Sequence, residues 1–143
     1  MAWRSTSHAV YDCKYHLIWC PKRRKTIGDA GMREWIAGVM RRVAEEYEWQ
    51  IDELAVDEDH IHIFLSFPPR HSISQVVGIM KSQSASRAFR QFPWLREQFW
   101  SGELWEDGYG VRTVGDRVTT ELIRRYIRRH ETEATSQPEL FEA

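Results

Sequence analysis

Residues 60–67, His-Ile-His-Ile-Phe-Leu-Ser-Phe, constrain the fold more than any other stretch of the chain. Side chains alternate across a strand with a period of two. Ile61, Ile63, Leu65 and Phe67 therefore share one face, and His60, His62, Phe64 and Ser66 share the other. The apolar set calls for a layer of helices. The second set points away from that core, onto a surface that something else must cover. Asp57-Glu58-Asp59 turns this strand back on residues 49–56 as a hairpin, and Pro68-Pro69 ends it.

The other elements follow from their periods. Residues 10–20 read as a strand, with Tyr11, Cys13, Tyr15, Leu17 and Trp19 alternating with Asp12, Lys14, His16, Ile18 and Cys20. Residues 30–48 read as an amphipathic helix, because Met32, Trp35, Ile36, Val39, Met40, Val43 and Tyr47 recur at helical spacing. A second helix is expected from about Ser74, a good N-cap, with Val76, Val77, Met80, Ala88 and Phe89 inward. Residues 92–108 read as irregular and rich in Trp and Gly, residues 109–114 as a short strand, and Thr119 to Glu131 as a last helix. The first six elements give strand, helix, strand, strand, helix, strand. That is the ferredoxin-like, RRM-like α+β pattern: an antiparallel sheet with helices on one face. The extra C-terminal helix is then available to cover the open face. The expected domain is 1–131, followed by an acidic tail at 132–143.

With 143 residues, 42% of them hydrophobic, the chain can bury a single core. A net charge of -1 argues against a protein that simply coats nucleic acid. The charges are segregated, however. Lys22-Arg23-Arg24-Lys25 is a basic run, and Arg124, Arg125, Arg128 and Arg129 surround Tyr126. Cys13 and Cys20 are too few for a disulfide framework and form no C-x-x-C pattern. No apolar stretch is long enough for a membrane span or signal peptide, so a soluble, cytoplasmic protein is expected.

Two groups of residues carry chemistry. His60 and His62 share a sheet face and suit a shared divalent ion, since imidazole is a common metal ligand. The alternative is a pair of surface histidines beside an acidic turn. Tyr126 and His130 stand one helical turn apart, so they share a helix face. If that face meets the strand, His60, His62 and His130 make a three-histidine metal site with a phenol beside it. The competing reading places Tyr126 in an apolar stripe with Leu122, Ile123 and Ile127. The flanking arginines favour a phosphate-binding surface. Further candidate contacts to a phosphate backbone are Lys22, Arg23, Arg24, Lys81, Arg87, Arg112, Arg125 and Arg129. Trp94, Trp100, Trp105 and Tyr109 are candidates for stacking on unpaired bases.

These features occur in a specific order. His16-Leu17-Ile18-Trp19 precedes Lys22 and Arg23, then come Asp59-His60-Ile61-His62 and Ser72-Ile73-Ser74 leading to Lys81. Last are Gly108 to Gly115 and Arg124-Arg125-Tyr126-Ile127. From about Val10 to His130 the chain resembles the IS200/IS605-family single-tyrosine transposases, which have the HUH (His-hydrophobe-His) endonuclease fold. The resemblance implies His60 and His62 as ligands of Mg²⁺ or Mn²⁺ and Tyr126 as nucleophile. It also implies a 5′-phosphotyrosine intermediate, no nucleotide cofactor, and a single-stranded DNA substrate with subterminal hairpins. It further implies a homodimer acting at the nucleoid of a prokaryotic cell. The chain departs from the family at His130, where Gln is frequent, and at Gly108-Tyr109-Gly110, where many relatives carry a bulky residue. A non-catalytic RRM-like binder shares the topology, but its open face would carry Phe or Tyr where this one carries His60 and His62. A domesticated nuclease acting on host repeats is not separable from a transposase by protein sequence.

Overall fold

A computed structural model of the chain describes residues 4–5, 10–11, 13–99 and 101–114. Strands β1 (Arg4–Ser5) and β2 (Val10–Tyr11) form a small antiparallel pair. The main sheet contains β3 (Lys14–Trp19), β4 (Gln50–Val56), β5 (Ile61–Ser66) and β6 (Gly110–Val114). Its order is β4-β5-β3-β6, antiparallel throughout. Helices α1 (Ala30–Glu46) and α2 (Ile73–Gln91) lie between its strands in sequence, and α3 (Leu95–Gln98) is a single turn. The expected ferredoxin-like α+β architecture is therefore present.

Local chemistry sets the boundaries. The Asp29 side chain accepts from Met32 N–H and caps α1. The cap of α2 is Ser72, two residues before the expected Ser74, so the helix starts at Ile73. Ser72 Oγ accepts from Gln75 N–H, and Gln75 Oε1 accepts from Ser72 N–H, closing a capping box. A bulge at Asp52 shifts the β4–β5 register between Ile51 and Glu53.

The core lies between the sheet and the two long helices. Leu17, Trp19, Ile61, Ile63 and Leu65 meet Ile36, Met40 and Val43 of α1 and Val76, Val77 and Met80 of α2. Each fully buried side chain of this kind contributes about 1.5–3 kcal/mol. Residues 92–108 plug one side of this core with Leu95, Phe99, Leu104 and Trp105. Trp105 packs edge-on against Trp19, and its indole N–H donates to Ser84 Oγ at 2.9 Å. Thus Trp105 and Ser84 are structural, whereas Trp94 is half exposed at 49%. Among the described residues no helix is long and apolar enough to cross a membrane.

Candidate metal centre and nucleic-acid interface

The strand period places His60 and His62 away from the helices, and the sheet order then brings β3 alongside them. Across the sheet, Ala55, His62, Ile18 and Gly110 form one row. Glu53, Phe64, His16 and Arg112 form the next. This face is buried as well: His60, His62 and Phe64 are 0% exposed and His16 is 1% exposed. The helix expected to cover it lies outside the described residues.

His60 and His62 meet edge to face, with ring centroids 4.6 Å apart. His60 Nδ1 lies 2.8 Å from Asp59 Oδ1. A carboxylate only accepts, so the neutral imidazole carries its proton on Nδ1 and keeps a lone pair on Nε2. Asp59 is held in turn by Arg24, whose Nη2 donates to Asp59 Oδ2 at 3.3 Å. His62 Nδ1 lies 3.1 Å from His16 Nε2, and the two rings stack nearly parallel. For His62 to offer a lone pair at Nε2, its Nδ1 must carry the proton and donate to His16. Each histidine thus has an outer partner that orients it, as ligating imidazoles commonly do.

Asp57 completes the cluster. One ligand atom from each of Asp57, His60 and His62 lies within 4.8 Å of the other two. A buried pair of imidazoles, each held by an outer partner, together with a carboxylate is a donor set that fits a divalent cation. In the sequence Asp57 is a turn residue, and its place in the cluster comes from the hairpin turn rather than from any period. His16 was visible as a member of the polar face of its strand, but its contact with His62 depends on which strands are neighbours.

The basic candidates have diverse surroundings. Lys22 and Arg24 belong to a short 3-10 turn after β3. Arg23 and Arg24 have φ of 57° and 55°, left-handed values that cost a non-glycine residue about 1–2 kcal/mol each. Lys22 pairs with Glu103 and Glu106, and Arg23 N–H donates to Glu106 Oε2 at 3.0 Å. Those contacts hold the Glu106 carboxyl below the usual carboxylate range, the Arg23 N–H bond contributing most. Arg24 also donates to Cys20 Sγ, while burial pushes the Cys20 thiol up. Lys81 Nζ donates to the carbonyls of Glu106 and Gly108 at 2.8 and 2.7 Å, and burial lowers its ammonium pKa. Arg87 reaches Glu46 on α1 and Gln83 on its own helix, in the layer behind the sheet. Arg112 is exposed on the histidine face. Arg125, Tyr126, Arg129 and His130 lie outside the described residues.

A family model described as "Transposase IS200 like" matches residues 9–130. The ISDra2 transposase TnpA of Deinococcus radiodurans is 33% identical over 118 residues, which is 82% of this chain and 84% of that protein. The transposase for insertion sequence element IS200 of Salmonella typhimurium is 33% identical over 125 residues, or 87% and 81% of the two chains. The crystal structure of a candidate transposase from D. radiodurans R1 superposes with a TM-score of 0.71 at 32% identity, covering 88% of this chain and 96% of that one. A REP-associated tyrosine transposase bound to a REP hairpin shares the fold, with a TM-score of 0.64 at 11% identity over 91% and 74% of the two chains.

Proposed function

This chain belongs to the IS200-like transposase family, and we propose that it is a metal-dependent enzyme that cuts and rejoins single-stranded DNA through Tyr126. What carries the reading is the buried His60–His62 pair, each ring oriented by an outer partner. Two buried rings set side by side, each with its Nδ1 engaged by an outer partner, suit an ion held between them.

His60 and His62 would hold Mg²⁺ or Mn²⁺. When bound, the cation supplies Lewis-acid polarisation of the scissile phosphate. The Tyr126 oxygen attacks phosphorus, the bond to the 3′ oxygen breaks, and that oxygen leaves as a 3′-hydroxyl with a proton. The strand is left joined to the tyrosine through its 5′ phosphate. Rejoining is the reverse: a 3′-hydroxyl attacks the phosphotyrosine and releases the phenol. One phosphodiester is made for each one broken, so no nucleotide cofactor is needed. Free tyrosine has a pKa near 10, and Arg125 and Arg129 favour the phenolate and the charge that develops on phosphate. Exposed Arg112 and the rim of Lys22, Arg23 and Arg24 would contact the DNA backbone. Subterminal hairpins are the expected recognition element, and the working unit is a homodimer of 1–131 catalytic domains.

The test is incubation of the full chain with labelled single-stranded DNA from the element ends and Mn²⁺. Wild type forms a covalent protein–DNA adduct. Tyr126→Phe forms none and binds the same DNA as well as wild type. An adduct formed by the Phe variant at the wild-type rate removes Tyr126 from the reaction.

A further inference from the structure

We propose that Asp57 is a metal ligand, so that one β-hairpin carries a complete carboxylate-and-two-imidazole site and residue 130 is not needed to bind the ion. This rests on the metal-dependent reading above and concerns which residues hold the cation.

The turn fixes Asp57 before any ion arrives. Its N–H donates to the His60 carbonyl at 2.8 Å, closing the β4–β5 connection and aiming the side chain back at the His60 ring. Asp57 Oδ2 comes within 3.0 Å of His60 Nε2. That contact lacks the angles of a hydrogen bond, and among the described residues Oδ2 is buried with no hydrogen-bond donor. A buried carboxylate oxygen in this condition is costly unless a cation satisfies it. Two ligand atoms at right angles, each about 2.1 Å from an ion, stand about 3.0 Å apart. The spacing of Oδ2 and Nε2 is therefore that of neighbouring ligands. His60 Nδ1 is turned to Asp59, which leaves Nε2 as the nitrogen facing Asp57.

The three residues fall within 57–62, on one hairpin of one protomer. The carboxylate supplies the hard oxygen that Mg²⁺ and Mn²⁺ prefer, and it offsets part of the ionic charge. A site built this way loads its ion without residue 130. Tyr126 then comes to a preformed centre, whichever protomer it belongs to.

The experiment measures Mn²⁺ affinity of the full chain, without DNA, by calorimetry and by electron paramagnetic resonance. Asp57→Asn and Asp57→Ala should weaken binding by about tenfold or more, and Asp57→Glu should keep part of it. His130→Ala should stay within about threefold of wild type. Nitrogen couplings in the pulsed spectrum should report two imidazoles in both wild type and His130→Ala. Thermal unfolding in chelator checks that the variants fold. The proposal is overturned if folded Asp57→Asn and Asp57→Ala bind Mn²⁺ as wild type does while His60→Ala and His62→Ala do not. It is equally overturned if His130→Ala loses as much affinity as His60→Ala, or if three imidazoles are seen. Wild-type affinity in both His60→Ala and His62→Ala would instead reject the whole metal reading.

Discussion

The two faces of strand β5 are equally dry and chemically different. Toward the helices, β5 presents Ile61, Ile63 and Leu65; away from them it presents His62, Phe64 and Ser66. Burying the first set drives folding. Burying imidazoles does not, because each nitrogen removed from water needs a partner. The first face explains why the chain folds, and the second is retained for what it can do. The contrast also explains why the polar face is so connected: Arg24 to Asp59 to His60 on one side, His16 to His62 on the other.

Adjacent residues of one strand offer the sharpest way to break this contrast. His62→Ala should lower metal-dependent cleavage by about a thousandfold, as expected when several kcal/mol of Lewis-acid stabilisation are lost. Ile63→Ala should instead lower the unfolding free energy by about 2–5 kcal/mol and leave cleavage per folded molecule close to wild type. Denaturant titration and adduct formation measured on both proteins decide the matter. Equal effects of the two variants in both assays would erase the distinction between the faces.

A smaller effect is expected at His16. His16→Leu should weaken Mn²⁺ binding by about tenfold to a hundredfold by freeing the His62 ring to turn. His16→Gln, which keeps a hydrogen-bonding group near Nδ1 of His62, should recover part of the affinity. Identical affinities in wild type and the Leu variant would make His16 a packing residue only.

The smallest effect is expected at the basic turn. The Glu106 carboxyl is depressed in the folded state, so its contribution is present above the ordinary carboxylate value of 4.5 and is lost as pH falls through the lower folded value. Glu106→Gln should therefore lower the melting temperature slightly at neutral pH, with the gap to wild type closing in acid. The shift is small because the group is largely exposed and solvent screens it. A gap that widens on acidification would contradict the sign.

Most of the fold was legible because its signals are periodic. The alternation at 60–67 and the helical stripe at 30–48 depend only on neighbours in the chain. The cap of α2 was misplaced by two residues because Ser72 and Ser74 are both plausible caps, and only the reciprocal bond with Gln75 decides between them. In the site, His60 and His62 followed from the strand period. Asp57 did not, since a turn rather than a period aims it. The partnership of His16 with His62 needed the order β5-β3, a non-local fact. Arg24 read as a phosphate contact, yet its guanidinium reaches the carboxylate behind His60.

Lys81 shows what such an arrangement entails. Two of the three hydrogens on its ammonium are engaged by main-chain oxygens of Glu106 and Gly108, just ahead of β6. A cation employed in this way lends its charge to the local field but has little reach left for a ligand. Its service is mechanical: it tethers the second long helix to the segment that leads into edge strand β6, where Asp107 and Gly108 are exposed. The entry to the strand that carries Arg112 is thus pinned to α2 by a lysine.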